Sequence, residues 1–201
     1  MLRLLLVRHG ETEWNAQRRY QGQSDVPLSA IGRRQAERVA ARLAGQKINA
    51  VYASDLSRAM QTAGIITGSL GLDVVPEPRL RELKFGALEG LTFDEAEAQF
   101  PGMIAAWLAD FNQTPQGAET IGQFKARVAA LLDDLRQKHD EQVVLLVGHG
   151  GSLSELVRHV LELSPEKRWY IEMENASLSE VLIADNFVSL KRLNDTCHLT
   201  A

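Results

Sequence analysis

Five residues spread widely along the chain have the types needed to move a phosphoryl group: Arg8, His9, Arg58, Glu82 and His149. A phosphate monoester is doubly charged and repels nucleophiles, so its oxygens must be neutralised before anything attacks the phosphorus. Arg8 and Arg58 offer forked N–H pairs to those oxygens. The glycines around His149 (Gly148, Gly150 and Gly151) and helix N-termini add backbone N–H donors. A neutral imidazole is a competent nucleophile, and nearby guanidinium charge lowers its pKa and keeps it neutral near pH 7. The leaving alkoxide needs a proton, and Glu82, within Arg81-Glu82-Leu83-Lys84-Phe85-Gly86, is the carboxyl placed to give it.

Taken singly, each residue has a structural reading: a polar strand end, a surface arginine, a solvated glutamate, a turn histidine. Their common position gives them weight. Residues 2–7 form a near-continuous aliphatic run, as in a strand buried on both faces, and it ends at Arg8-His9. Residues 142–147 repeat the pattern and end in Gly148-His149-Gly150-Gly151. A shorter strand over 48–53 leads through the capping residues 54–57 into a helix over about 58–70, opened by Arg58. A third strand over 72–75, closed by Pro76 and Pro78, precedes Glu82. In an open α/β sheet, ligands bind outside the carboxyl ends of the strands, so three strand ends deliver basic or nucleophilic groups to one edge.

The remaining elements complete the sandwich. A loop over about 10–28 is followed by a helix capped by Ser29, with Ala36, Val39, Ala40 and Leu43 at helical spacing before Gly45. Residues of about 91–118 differ in composition and read as short helices broken at Pro101 and Pro115, with Phe93, Phe100, Met103, Trp107 and Phe111 as apolar content. A long helix then carries Ile121, Phe124, Val128, Leu131, Leu132 and Leu135 on one face, and another spans 152–163. A hairpin over 177–183 and 187–193, turning at Asp185-Asn186, ends the chain. Alternating strands and helices predict an α/β fold with a mainly parallel sheet covered on both faces, in one domain over residues 1–201.

Bulk properties narrow the partners. The net charge of -4 disfavours nucleic acid and acidic membranes, so positive charge must be concentrated locally. The single cysteine, Cys197, permits no internal disulfide and fits a reducing compartment. The apolar start is too short for a signal segment and contains Arg3, so a cytoplasmic location is expected. A zinc hydrolase built on His9, His149 and Glu82 is a rival, but two arginines aimed at the same point would repel a dication. His139 and His159 read as structural or surface residues.

The motifs also resemble a known family. Leu6-Val7-Arg8-His9-Gly10-Glu11-Thr12-Glu13-Trp14-Asn15 resembles the signature of the histidine phosphatase superfamily, which includes the cofactor-dependent phosphoglycerate mutases. The resemblance continues through residues 21–29 and Gly32, at Ser54-Asp55-Leu56-Ser57-Arg58-Ala59, at Arg81-Glu82 through Glu89-Gly90, and at Val147-Gly148-His149-Gly150. It implies a three-layer α/β/α sandwich with a small helical lid inserted at about 91–118. It also implies His9 as nucleophile, Arg8, Arg58 and His149 on the phosphoryl oxygens, and Glu82 as proton donor. Asn15, Gln21, Gly22 and Gly150 would contact the phosphate or adjoining substrate. The implied reaction is metal-independent hydrolysis of a small phosphorylated metabolite, with no cofactor.

A mutase needs extra cations over the site to hold a second acidic group. No Lys or Arg occurs from Phe85 to Phe124, which favours a phosphatase; Arg18, Arg19 and Lys84 are the residues that keep the mutase in view. The ending Leu193-Asn194-Asp195-Thr196-Cys197-His198-Leu199 resembles α-ribazole phosphatase-like and phosphoserine phosphatase-like members, with His198 either reading the substrate or pinning the terminus. A monomer and a homodimer paired through the hairpin are the two oligomeric expectations.

Overall fold

The computed structural model describes residues 1–68, 70–110, 113–164 and 171–200. The first aliphatic run becomes β1 (Leu2–Arg8), and its alternation sorts two cores. Leu2, Leu4 and Leu6 face one apolar cluster, while Leu5 and Val7 face the other. Leu4, Leu5 and Leu6 are all buried, so Leu5→Ala would cost about 2–5 kcal/mol through lost transfer energy and the cavity left behind.

Beyond β1 a short helix, α1 (Glu13–Ala16), interrupts the expected loop, closed by a reciprocal capping box between Thr12 and Asn15. Ser29 caps α2 (Ala30–Leu43) as expected, its Oγ accepting from Gly32 N. Then come β2 (Ala50–Ala53), α3 (Ser57–Thr67) and β3 (Val74–Pro76), the two strands starting two residues later than their apolar runs. The cap of α3 differs from expectation. Its N-terminus is held by Asp25 from the distant loop, which accepts from Ser57 N and Oγ at 2.7 Å each.

The compositionally distinct stretch folds into α4 (Phe93–Gln99) and α5 (Met103–Ala109). A capping box between Thr92 and Glu95 starts α4 and leaves Phe93 54% exposed, so Phe93 is not core content. Ala96 and Ile104 pack on Leu88, Tyr20, Phe85, Phe100 and Met103 in a separate small core, and Trp107 is buried. Phe111 lies outside the described residues. The predicted stripe of α6 (Ile121–Lys138) buries Phe124, Val128, Leu131, Leu132 and Leu135. After it come β4 (Val143–Gly148), α7 (Gly150–Val160) and the hairpin of β5 (Leu178–Ile183) and β6 (Val188–Asp195).

The sheet runs β3-β2-β4-β1-β5-β6. The four strands from β3 to β1 are parallel, and the final hairpin adds antiparallel pairs at one edge. Residues of α6 and α7 cover one face and those of α2 and α3 the other, giving the three-layer α/β architecture. Because β4 inserts between β1 and β2, the strand order reverses there, the place where open α/β sheets bind ligands at the carboxyl ends. Among the described residues, no helix is long and apolar enough to cross a membrane.

Candidate active site

Strand register fixes the site. Arg8 pairs with Gly148, so His9 and His149 leave β1 and β4 at the same level. Ala53 pairs with Val147, which brings Ser54 alongside. The two imidazoles lie with ring centroids 5.0 Å apart, and Arg58 reaches them from the first turn of α3. Arg8, His9, Arg58, Glu82 and His149 therefore converge from four separate stretches of the chain.

The His9 ring is 2% exposed, and its Nδ1 lies 2.7 Å from the carbonyl of Gly10. A carbonyl only accepts, so Nδ1 carries the hydrogen and Nε2 holds the lone pair. Nε2 has no hydrogen-bond partner among the described residues. Burial first, then the charges of Arg8 and Arg58, hold the imidazole well below the usual histidine range and hence neutral at pH 7. The backbone is fixed too: His9 N donates to Gly148 O at 2.9 Å, and Gly10 N donates to Thr62 Oγ1 at 3.1 Å.

Arg58 is 1% exposed, far from a surface arginine. It donates through Nε to His149 Nδ1 at 3.2 Å, and through its two Nη groups to the carbonyls of Ser24 (2.7 Å) and Gly22 (2.8 Å). Desolvation lowers its pKa to about 10, which still leaves it charged at neutral pH. Gly22 thus serves the guanidinium through its carbonyl. Arg8 donates to Met173 O at 2.5 Å, while its buried Nε has no partner, a donor left for an incoming oxygen. Burial lowers Arg8 as well, opposed by Glu82 and Glu174.

His149 is fully buried and bonded at both ring nitrogens, its Nε2 lying 2.8 Å from Ser54 Oγ. Burial, and next Arg58, hold it well below the usual histidine range. Glu82 accepts from Leu83 N at 2.8 Å through Oε1 and from Gly151 N at 2.9 Å through Oε2. The second bond requires glycine, since a Cβ on Gly151 would sit 2.2 Å from Oε1. Gly150 lies against Arg8, an added Cβ meeting its Cζ at 3.7 Å.

Asn15 Oδ1 accepts from Thr12 N at 3.1 Å, which leaves Nδ2 as the group it can present. Gln21 is buried and accepts from Thr12 Oγ1 at 2.9 Å. The Nε2 of His198 lies 2.9 Å from the carbonyl of Ala176, the residue whose N–H meets His9 O. His139 is tied between Tyr52 Oη and Gln142 Oε1, as a structural histidine.

Three contributors had no role legible in the sequence. Ser54 opens a stretch that resembles the family, but nothing there marks its hydroxyl as the partner of His149, and Thr62 is a small hydroxyl with no motif of its own. Arg127, on α6, donates to the carbonyls of Arg79, Arg81 and Glu82 at 2.6–2.9 Å and pairs with Glu119, clamping the segment that carries Glu82. Only its spacing within an otherwise amphipathic helix could have hinted at this.

The rival zinc arrangement does not assemble. Among the described residues, the one group of three side chains able to converge on a cation is Asp195, Cys197 and His198, which includes neither His9, His149 nor Glu82.

A buried, neutral histidine flanked by two arginines at a strand-order reversal defines a class of phosphoryl-handling α/β enzymes. The chain belongs to the histidine phosphatase superfamily (branch 1), whose family model matches residues 4–196. It is 40% identical over 209 aligned positions to the probable phosphoglycerate mutase GpmB of Yersinia enterocolitica, covering 99% of this chain and 95% of that one. Among solved structures, a mycobacterial glucosyl-3-phosphoglycerate phosphatase complexed with VO3 is similar at a TM-score of 0.85 and 34% identity, covering 96% of this chain and 99% of that one. A putative alpha-ribazole-5'-P phosphatase from Escherichia coli reaches a TM-score of 0.90 at 30% identity, covering 96% of each chain.

Proposed function

We propose that the protein hydrolyses a small phosphate monoester through a phosphohistidine on His9, without a metal or cofactor. The observation that carries this reading is the His9 tautomer: the hydrogen is held on Nδ1 by Gly10 O, and the lone pair of Nε2 is left free beside two guanidinium groups. In the first half-reaction Nε2 attacks phosphorus in line, the P–O bond to the leaving group breaks, and its electron pair takes a proton from Glu82. In the second, Glu82 takes a proton from water, the hydroxide oxygen attacks phosphorus, and the P–N bond breaks to return its pair to Nε2. Arg8, Arg58 and Asn15 neutralise or bind the phosphoryl oxygens in both halves, while His149, neutral and with its one N–H on Ser54, holds Arg58 in place beside them. We assign the reaction to the cytoplasm.

The names of similar proteins divide between mutase and phosphatases, and the charge around the mouth supports the phosphatase. Arg19, one of the three cations that favour a mutase, donates to Gly90 O at 2.7 Å and pairs with Glu95, so it is committed to holding the start of α4. With no Lys or Arg from Phe85 to Phe124, little is left to bind a second acidic group. Within the phosphatases, the terminal motif and the alpha-ribazole-5'-P phosphatase likeness favour an α-ribazole phosphatase-like substrate over a phosphoserine-like one. The test is hydrolysis of para-nitrophenyl phosphate and of a panel of phosphorylated metabolites in the presence of a chelator. Chelator-insensitive release of phosphate, lost in His9→Ala, is expected; transfer between two phosphoglycerate positions without net hydrolysis would favour the mutase.

A further inference from the structure

The segment before β5 carries residues that neither the motifs nor the proposed reaction use, and it is bonded to the nucleophile from behind. β5 runs antiparallel to β1, with Val7 opposite Leu178, so the residues just before β5 arrive at the carboxyl end of β1. There Ala176, fully buried, adopts a left-handed backbone at φ +57, a conformation that a non-glycine residue holds only when its surroundings impose it. Its N–H meets the carbonyls of Arg8 and His9, each at 3.1 Å. The neighbouring Asn175 donates through Nδ2 to His9 O at 3.1 Å and to Asn15 Oδ1 at 3.3 Å. Met173 O takes the Arg8 guanidinium. The chain terminus braces this segment from outside, through Asn194 Oδ1 on Glu174 N at 2.7 Å and His198 on Ala176 O.

The two hydrogens of the Asn175 amide match two acceptors. One fills the remaining lone pair of His9 O, whose other partner is Ala176 N–H. The other reaches Asn15 Oδ1, whose end of the amide Thr12 N already fixes as oxygen, and so ties that oxygen to the backbone of His9. We propose that Asn175 is a positioning residue that sets the nucleophile and the Asn15 amide together, through one NH2 group shared between His9 O and Asn15 Oδ1. Both its amide hydrogens are committed to protein acceptors. Its effect is geometric: misplacing a nucleophile by about 1 Å costs on the order of 100-fold in rate.

This inference rests on the phosphohistidine reading, and two variants separate it from simple packing. Asn175→Ala removes both donors. Asn175→Asp keeps the shape but sets a carboxylate oxygen against two lone pairs. With para-nitrophenyl phosphate, kcat is expected to fall about 10- to 100-fold in Asn175→Ala with KM changed by less than about threefold, and to fall further in Asn175→Asp. Protonation would give Asn175→Asp one donor back, so its activity relative to wild type should rise as pH falls, a trend that the Asn175→Ala variant should lack. If Asn175→Asp matches wild type or exceeds Asn175→Ala, the side chain only fills space and the inference is overturned. Absence of any turnover by the wild type would instead overturn the proposed function, and this inference with it.

Discussion

Arg58 donates through Nε to Nδ1 of His149 across 3.2 Å. A guanidinium can only donate, so Nδ1 of His149 must hold a lone pair, and its one hydrogen sits on Nε2 and points at Ser54 Oγ, 2.8 Å away. Arg58 therefore sets the tautomer of His149, and the buried hydroxyl of Ser54 supplies the acceptor that this tautomer needs. Ser54→Ala leaves that N–H without an acceptor and should cost about 1–3 kcal/mol of stability with a several-fold loss of kcat/KM. Ser54→Thr, which keeps the hydroxyl, should recover most of both. Denaturant midpoints and steady-state kinetics on the two variants decide the point.

Buried neutral histidines make the fold sensitive to mild acid. His9 and His149 both lie well below their unfolded value of about 6.5, so below that pH the unfolded chain takes up protons that the folded chain does not. The stability they contribute is complete above pH ~6.5 and is lost as pH falls, by up to about 1.4 kcal/mol per pH unit for each histidine. Urea denaturation at several pH values should show that slope for the wild type and a shallower one for His149→Gln. Equal slopes would mean that another group titrates. Over the same range His9 stays neutral in the folded enzyme, so the acid limb of kcat/KM should fall below pH ~6.5.

Glu82 is held by the backbone N–H of Gly151, at a spacing that admits no side chain there. Gly151→Ala should push the carboxylate aside and lower kcat about 10- to 100-fold with little change in folding. Glu82→Gln should slow hydrolysis most for esters with poor leaving groups, because a good leaving group departs without a proton. Rates across a series of aryl and alkyl phosphates provide the comparison; a uniform loss would argue against the acid role.

Arg127 donates to three consecutive-segment carbonyls, those of Arg79, Arg81 and Glu82, and is paired with Glu119. Arg127→Met keeps the stem but leaves those acceptors without it, and should cost about 1–3 kcal/mol together with a loss of kcat as Glu82 loosens. Thermal melts and turnover should move together. A stable variant with unchanged kcat would contradict the clamp.

The parts of the molecule legible in its sequence are those with local causes. Residues 2–7 and 142–147 announce central strands because aliphatic side chains must face both cores, and α6 announces itself through an apolar stripe. The ends of those strands then place His9 and His149. Long-range partners were less legible. Asp25 caps α3 from more than thirty residues away, and nothing near Ser57 signals it. Phe93 has the spacing of core content, yet its place after the Thr92 cap turns it to solvent. Ala176 holds a left-handed backbone where glycine would be the local expectation, so its turn and the Asn175 contacts appear only once β5 is known to run antiparallel to β1.

The covalent intermediate is the most exposed part of the mechanism. Wild type and His9→Ala, mixed with para-nitrophenyl phosphate, quenched rapidly into alkaline denaturant and weighed intact, should differ by one phosphoryl group on the wild type alone. Turnover by the wild type with no phosphorylated protein at any quench time, or an equal adduct on His9→Ala, would contradict attack by His9.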